Sequence, residues 1–380
     1  MVFGLLAVGA VVHASACNAL LGNEPLTLET LDGAAPPPRA EAAADAPVEA
    51  SACGADLRAD AKHCGACGHA CLGGACSEGR CQPFLLASGL TNPTHLRIDQ
   101  GAAYWVNGER TVQSCSVAGC NTAPTQVLQL PATRAITGLA VRSGTVYILT
   151  QLMADGTGTF ESCPSTGCAT ATKIVDTPVG PFSLTYDATN AYFLTQAPSV
   201  VRCAWPTCAG GPVAVAAGGV NGWFEVVADD TTLYWWGAGP AQNLDKSFIY
   251  RADKGHDGGA PTILLSDRPR PRLAARAATV FVAERGAAAG EVYSMGSTGL
   301  GRVTLAPSEV SPQGIAVDGT HVYWARGGLS GAIRRCESAG CNGAPTTIAD
   351  AQNDPASPQV TDQAVYWTEF GGGTVRGVAK

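Results

Sequence analysis

Charged residues are scarce in this chain. Asp, Glu, Lys and Arg make up 14% of it, against roughly 25% in a typical soluble domain. The net charge is −7, and Lys and Arg form no cluster or stripe. Because nucleic acids are bound by concentrated positive charge, this pattern argues against a nucleic-acid partner.

Known catalytic signatures are also missing. The chain contains no Gly-x-Ser-x-Gly elbow, no His-Glu-x-x-His pair and no phosphate-binding loop. Carboxylates are scattered, and histidine is rare, with a total of 6. We therefore predict no cofactor and no metal centre, and an enzyme is the less favoured interpretation.

The N-terminal apolar run is too short to cross a bilayer. Residues 1–12 have the length of a signal-peptide core rather than of a membrane-spanning helix. Ala14-Ser15-Ala16 then precedes Cys17, which resembles a bacterial lipobox, in which the cysteine is acylated and becomes the mature N-terminus. The same bond also fits an ordinary Ala-x-Ala cleavage site. We predict a signal peptide over residues 1–16 and lipidation at Cys17, with simple secretion as the alternative.

The following segment lacks the residues needed for a core. Residues 17–52 include three consecutive prolines and an Ala/Glu/Asp-rich stretch without aromatic residues. This composition predicts a disordered tether. The tether would connect the membrane to the folded part of the protein in the cell envelope.

Glycine, proline and cysteine are abundant, by contrast. The 46 glycines and 24 prolines indicate many turns and favour an all-β fold. Fifteen cysteines are too many for a reducing cytosol unless metals hold them. Apart from Cys17, six lie close together: Cys53, Cys64, Cys67, Cys71, Cys76 and Cys81. The other eight form four pairs with the same spacing: Cys115/Cys120, Cys163/Cys168, Cys203/Cys208 and Cys336/Cys341.

The six clustered cysteines define a small module at residues 53–82. A segment this short builds no hydrophobic core, so cross-links must stabilise it. We predict three disulfides, in a pairing that the sequence leaves open. Zinc is the alternative, because Cys64-x2-Cys67 has His63 and His69 nearby. The motif Cys64-Gly65-Ala66-Cys67-Gly68 resembles the Cys-Gly-x-Cys-Gly modules of bacterial envelope proteins and of plant stigma-specific cysteine-rich proteins. That resemblance implies no catalytic activity.

Residues 83–380 contain a sevenfold repeat. Its marker is an aromatic pair, or a substitute for one, that follows a short apolar run. The markers are Tyr104-Trp105, Tyr147-Ile148, Tyr192-Phe193, Tyr234-Trp235, Val280-Phe281, Tyr323-Trp324 and Tyr366-Trp367. Their spacings are 43, 45, 42, 46, 43 and 43 residues. A period of this length with four strand-like runs predicts an all-β, seven-bladed β-propeller.

The two ends of the repeat region predict how the propeller closes. The last repeat reaches its third strand at residues 374–378 and lacks a fourth. Residues 84–88, Phe-Leu-Leu-Ala-Ser, resemble the fourth strands of other repeats. We expect this N-terminal strand to complete the seventh blade and so to remove two exposed sheet edges.

The repeats resemble those of bacterial envelope propellers with Tyr-Trp motifs. They are more distantly similar to the Tyr-Trp-Thr-Asp propellers of lipoprotein receptors. The third and fourth motif positions differ, since Trp367 is followed by Thr368-Glu369 and Trp105 by Val106-Asn107. The resemblance therefore implies the fold class and no ligand.

The paired cysteines fall at the turn between the third and fourth strands of a blade. We predict a bridge within each pair. The fifth repeat holds Met295 and Leu300 at the corresponding positions, which predicts an apolar contact instead. In the fourth repeat, the corresponding turn contains Asp253 and Asp257. We predict a plain polar turn there, with a cation-binding loop as the minor alternative.

These turns occupy one face of the disc, and longer loops are predicted on the other face. The longest are residues 236–248 and residues 151–160. His95 and Trp223 lie where innermost strands begin, near the mouth of the central channel. The candidate ligand-binding residues are His95, Trp223, Trp236, Gln242, Asn243, Asp245 and Lys246.

Three functions follow from these features. The favoured one is a lipid-anchored, surface-displayed binding or scaffold propeller that engages a protein or a glycan. The alternatives are a metal-assisted hydrolase or lyase that uses the channel mouth, and a purely structural envelope component. We expect a monomer that contacts the membrane through its lipid alone.

Overall fold

The computed structural model describes residues 53–120, 123–178, 180–196, 199–218, 223–239, 243–286 and 289–380. The backbone of residues 223 and 239 is described, but their side chains are not. Within these ranges, all regular elements are β-strands. No helix of the described residues is long and apolar enough to span a membrane.

The strands form seven four-stranded antiparallel sheets, which are the blades. The innermost strands are β4 (Thr94–Asp99), β8 (Arg134–Arg142), β12 (Phe182–Tyr186), β16 (Trp223–Ala228), β20 (Arg272–Arg276), β24 (Pro312–Val317) and β28 (Pro355–Val360). The second strands are β5 (Ala102–Asn107), β9 (Thr145–Leu152), β13 (Asn190–Thr195), β17 (Thr232–Gly239), β21 (Thr279–Glu284), β25 (His321–Arg326) and β29 (Ala364–Glu369). The third strands are β6 (Thr111–Ser116), β10 (Gly158–Pro164), β14 (Ser199–Ala204), β18 (Asn243–Asp253), β22 (Gly290–Gly296), β26 (Gly331–Glu337) and β30 (Thr374–Ala379). The outermost strands are β7 (Thr125–Gln129), β11 (Thr172–Thr177), β15 (Val213–Ala217), β19 (Thr262–Arg268), β23 (Val303–Glu309), β27 (Thr346–Gln352) and β3 (Phe84–Ala87).

The seventh blade closes as the sequence predicts. Strand β3 pairs with β30, with Phe84 opposite Gly377. The ring of Phe84 packs edge-on against Tyr366 at a centroid distance of 6.2 Å. A Cβ on Gly377 would come within 2.7 Å of the Phe84 ring, so only glycine fits under it. Strands from both ends of the propeller region therefore share one sheet.

The core lies between the blades. Trp105, Trp235, Trp324 and Trp367 are fully buried, and their tyrosine neighbours in the repeat are buried too. Adjacent residues in a strand point to opposite faces of the sheet. Both faces of each blade are thus covered by neighbouring blades, which explains why the aromatic pair recurs in the sequence.

A recurring aspartate fixes the turn between the first and second strands. Asp187 accepts hydrogen bonds from the backbone N–H groups of Thr189 and Asn190 and from the Tyr192 hydroxyl. Asp229 and Asp318 do the same in their blades, each toward the tyrosine five residues later. The sequence pattern Asp-x-Thr-x-x-Tyr marks this arrangement, although the aromatic repeat alone does not reveal it.

Two of these aspartates also join blades. The Lys254 ammonium lies 2.9 Å from Asp187, and the Lys380 ammonium lies 2.7 Å from Asp318. Burial opposes ionisation of both carboxyl groups. The ammonium and N–H donors outweigh it and hold the pKa of Asp187 and Asp318 well below the usual range.

Disulfides reinforce the same face of the disc. The bridges of the blades join Cys115 to Cys120, Cys163 to Cys168, Cys203 to Cys208 and Cys336 to Cys341. The predicted apolar contact in the fifth blade is wrong. Met295 is buried, but Leu300 is 75% exposed, because the turn directs its side chain into solvent. We call this side of the disc the stapled face.

The cysteine-rich module packs on the propeller. Its bridges are Cys53–Cys67, Cys64–Cys76 and Cys71–Cys81, and it contains the two-residue strands β1 (Cys76–Ser77) and β2 (Arg80–Cys81). Three of its cysteines share a buried cluster with residues of the sixth and seventh blades, including Trp367 and Val378. The ring of His69 lies between the carbonyl groups of Cys64 and Lys380, at 2.5 and 2.6 Å. The module therefore covers the closing blade.

The two long loops predicted on the opposite face are instead extended hairpins. In the segment 236–248, strand β17 continues to Gly239 and β18 begins at Asn243. In the segment 151–160, β9 continues to Leu152 and β10 starts at Gly158. Glycine and polar residues suggested longer loops there, but pairing reaches Gly239 opposite Asn243 and Gln151 opposite Gly158, which leaves residues 153–157 as a turn.

Candidate functional site

A cavity of about 660 Å³ opens where the innermost strands begin. This is the face opposite the stapled turns, and we call it the mouth face. In six of the seven blades, the pairing register between the innermost strand and the second strand shifts near the start of the innermost strand. Such bulges redirect side chains. Here they belong to strands whose first residues line the cavity.

His95 is one of the lining residues. Its backbone is left-handed, with φ of 54°, and its Nδ1 lies 3.0 Å from the Thr94 hydroxyl. Burial, together with the nearby Arg97 guanidinium, lowers the pKa of His95 to about 4. The ring is therefore neutral at neutral pH and offers one hydrogen-bond donor and one acceptor.

Four charged side chains line the cavity: Arg97, Glu225, Arg272 and Asp354. Arg97 donates to the Leu96 carbonyl at 2.8 Å, and burial lowers its pKa. Glu225 Oε2 accepts from the backbone N–H of Leu273 at 2.9 Å, which links the fourth blade to the fifth. Burial raises the pKa of Glu225, while the Arg272 and Arg97 guanidinium groups oppose this shift.

Aromatic side chains border the same cavity. Phe224 and Phe370 are each 43% exposed. Phe224 stacks on Trp236 with ring centroids 4.5 Å apart, and the Arg272 guanidinium lies over the Trp236 ring at 5.8 Å. The cavity therefore combines charged groups inside with apolar rings at its edge.

Backbone hydrogen bonds hold the loops around the cavity. In five blades, the loop after the second strand donates an N–H to the connector that enters the same blade. These bonds join Gly108 to Thr91, Met153 to Thr133, Arg285 to Pro269, Gly327 to Ser311 and Phe370 to Asp354. Further bonds, such as Leu90 to Gly373 and Asp354 to Gly328, connect neighbouring blades. The rim is thus largely preformed, which reduces the entropic cost of binding.

The sequence-predicted site residues divide into three groups. His95 lines the cavity, and Trp236 is buried beneath Phe224, with 2% of its surface exposed. Asn243, Asp245 and Lys246 are exposed on the β17–β18 hairpin, away from the cavity lining, and Asp245 pairs with Arg270. Gln242 and the Trp223 side chain lie outside the described residues.

Sequence analysis missed Arg97, Arg272, Phe224 and Phe370 as site residues. Arg97 lies opposite the repeat tyrosine, a position where other blades have small residues such as Ala140 and Ala316. The charge of Arg97 at this position of the repeat could have indicated the site.

The zinc ligands considered for the module are not thiolates in this structure. Among the described residues, the one cluster of three metal-ligand side chains is Cys64, Cys71 and Cys81. Each of these sulfurs is bonded in a disulfide.

No family model and no curated protein sequence matches the chain. Solved propellers match it by shape. A catalytically inactive variant of virginiamycin B lyase from Staphylococcus aureus, with quinupristin, is 14% identical; the match covers 79% of this chain and 98% of the lyase, with a TM-score of 0.59. Hydrazine synthase from Kuenenia stuttgartiensis is 12% identical, with 77% and 97% covered and a TM-score of 0.60. YCF48 bound to a D1 peptide is 11% identical, with 79% and 94% covered and a TM-score of 0.57. At these identities, the similarity shows the fold alone.

Proposed function

We propose that this protein is a surface-displayed binding propeller that holds an extended peptide segment of a partner protein at the mouth face. The observation that carries the proposal is the preformed cavity, which has two guanidinium groups inside and two half-exposed phenylalanines at its edge. Its volume of about 660 Å³ lies within the range of small-ligand sites. The peptide-bound YCF48 propeller provides a precedent for this use of the fold.

The display of the protein follows from its N-terminal region and its cysteines. Seven disulfides indicate an oxidising, exported environment. Cys17 and the tether lie outside the described residues, and they support a lipid anchor in the cell envelope. Anchored in this way, the disc would meet its partner outside the cytoplasm.

The test is to incubate the mature protein, from Cys17 onward, with arrays of random peptides and of envelope glycans. We expect retained peptides, and we expect Phe370→Ser to weaken their binding at least about tenfold. Leu300→Ser removes an exposed leucine on the stapled face and is the matched control. If glycans alone are retained, the proposed peptide ligand is wrong. If Leu300→Ser weakens binding as much as Phe370→Ser, the mouth face is not the binding surface.

A catalytic use of the same cavity is the second candidate. The observation in its favour is a neutral His95 close to Arg97 in one cavity, since a guanidinium can stabilise negative charge that develops in a reaction beside a hydrogen-bonding ring. The test compares the wild type with His95→Asn. Cleavage of a retained peptide by the wild type alone, together with a melting temperature raised by divalent metals, would favour the enzyme. Unchanged peptides would favour binding.

A further inference from the structure

Arg97 and Arg272 form no salt bridge within the described residues, although both act electrostatically on Glu225. The hydrogen bonds of Arg97 go to backbone carbonyls, at 2.8 Å to Leu96 and 3.5 Å to Leu184. Arg272 lies over the Trp236 ring. Both guanidinium groups border the cavity, so their remaining N–H donors are available to a ligand.

Elsewhere in the propeller, buried glutamates neutralise half-buried arginines. These pairs are Arg134–Glu161, Arg268–Glu284, Arg334–Glu309 and Arg376–Glu369. All four glutamates are at most 5% exposed. Other half-buried arginines, such as Arg142 and Arg202, donate to backbone carbonyl groups, as Arg97 does. Arg97 and Arg272 differ from all of these in that both border the cavity.

Two carboxyl groups also line the cavity, Glu225 and Asp354. Burial raises the pKa of Glu225, and the guanidinium groups of Arg272 and Arg97 oppose that shift. Each carboxyl group accepts a backbone N–H, Glu225 at Oε2 and Asp354 at Oδ1. Backbone donors therefore hold both carboxyl groups, and no salt bridge among the described residues joins either of them to Arg97 or Arg272.

On the basis of the proposed function, we infer that the cavity binds a carboxylate group of the partner peptide between Arg97 and Arg272, with an adjoining apolar side chain on Phe224 or Phe370. Guanidinium groups bind carboxylates through paired N–H donors. The half-exposed rings of Phe224 and Phe370 favour an organic carboxylate with an apolar neighbour over inorganic phosphate. The carboxylate comes from a peptide C-terminus or from an acidic side chain.

The test uses 3-phenylpropionate as the probe, because it carries one carboxylate and one aromatic ring. Its neutral counterpart is 3-phenylpropionamide. Nuclear magnetic resonance of the arginine side-chain Nε–H groups in the mature protein reports binding. We expect saturable shifts of Arg97 and Arg272 with the acid and none with the amide. Equal responses to both compounds, or stronger binding of inorganic phosphate, would overturn the inference.

Strand β20 offers a matched pair of variants, since it begins at Arg272 and ends at the exposed Arg276 on the stapled side. Both substitutions by Gln remove one positive charge. We expect Arg272→Gln to weaken binding of the acid at least about tenfold, the lower range for a charge-assisted hydrogen bond, and Arg276→Gln to leave it unchanged. Arg97→Lys keeps the charge but loses the paired donors, and it too should weaken binding. Equal effects of Arg272→Gln and Arg276→Gln would overturn the inference.

Peptides that bind the wild type then identify the source of the carboxylate. Loss of binding on C-terminal amidation identifies the terminus, and loss on Glu→Gln or Asp→Asn substitution identifies a side chain. Peptide binding that survives Arg272→Gln would overturn the inference while leaving the proposed function intact. Binding of 3-phenylpropionate without binding of any peptide would overturn the proposed function and leave the carboxylate site intact.

Discussion

The two faces of the disc use their side chains differently. Both have backbone hydrogen bonds between neighbouring turns. The stapled face adds disulfides, aspartate–tyrosine hydrogen bonds and lysine–aspartate pairs between blades, as with Lys254 and Asp187. The mouth face leaves Arg97, Arg272, Phe224 and Phe370 without such links. The comparison shows that the turns of the stapled face are cross-linked by side chains, whereas these four cavity residues have no cross-links of those kinds.

The largest expected effect concerns the pairing of β3 with β30 in the seventh blade. Phe84→Ala should lower the free energy of unfolding by about 3–5 kcal/mol, because it empties a buried aromatic site. Leu85→Ala is the matched control on the same strand, since Leu85 is 43% exposed. Urea unfolding followed by tryptophan fluorescence measures both. Equal effects of the two variants would show that the pairing of β3 with β30 does not depend on burial of the Phe84 ring.

The next prediction compares cross-links of the module and of a blade. In the chain-entropy model, loss of Cys64–Cys76 costs about 3 kcal/mol and loss of Cys115–Cys120 about 2 kcal/mol, because the first closes a longer loop. Double Cys→Ala variants, unfolded in urea without reductant, measure both values. Peptide mapping without reduction must first find these pairs. Free cysteines, or pairing between blades, would contradict the layout.

A third prediction addresses the aspartate–lysine links. The folded-state pKa of Asp187 is depressed, so its contribution is present above its unfolded pKa of about 3.9 and is lost as the pH falls below it. Asp187→Asn should cost about 1–3 kcal/mol at neutral pH and should flatten the acid side of the stability curve. Asp176→Asn removes an exposed pair with Lys173 and should do neither. An unchanged acid slope in Asp187→Asn would refute the assignment.

The effect that is smallest at neutral pH concerns His95 on the mouth face. Its pKa of about 4 lies below the unfolded value of about 6.5. Between these values, the unfolded chain binds a proton that folded His95 does not, so His95 makes stability fall as the pH decreases from about 6.5 to about 4. Nuclear magnetic resonance titration of the histidine ring, assigned with His95→Asn, gives the midpoint. A midpoint near 6.5 would show that the ring is solvated.

The sequence predicted the propeller because its core is periodic. Pairs such as Tyr323-Trp324 recur in every blade or are replaced by other apolar residues, and both faces of the strand are buried. The closing strand was predictable for a similar reason, since Phe84 and its neighbours supply the fourth strand that the last repeat lacks.

The cavity was only partly predictable. His95 drew attention as a rare histidine near the start of an innermost strand. Arg272 did not, because its place at the cavity depends on which strands surround it in three dimensions. The extension of the two strands into residues 236–248 was missed because Gly237 and Asn243 are typical of loops, whereas both of these residues pair across the strands.

The pairing of β3 with β30 also determines an order of events during synthesis. The ribosome makes β3 first among the propeller strands and β30 last, so the seventh sheet forms only after the other blades have emerged. The cysteine module ends at Cys81, just before Phe84, and its bridges span short distances in sequence. The module is therefore able to fold early. It is followed directly by β3, which stays unpaired until β30, the final strand, is made.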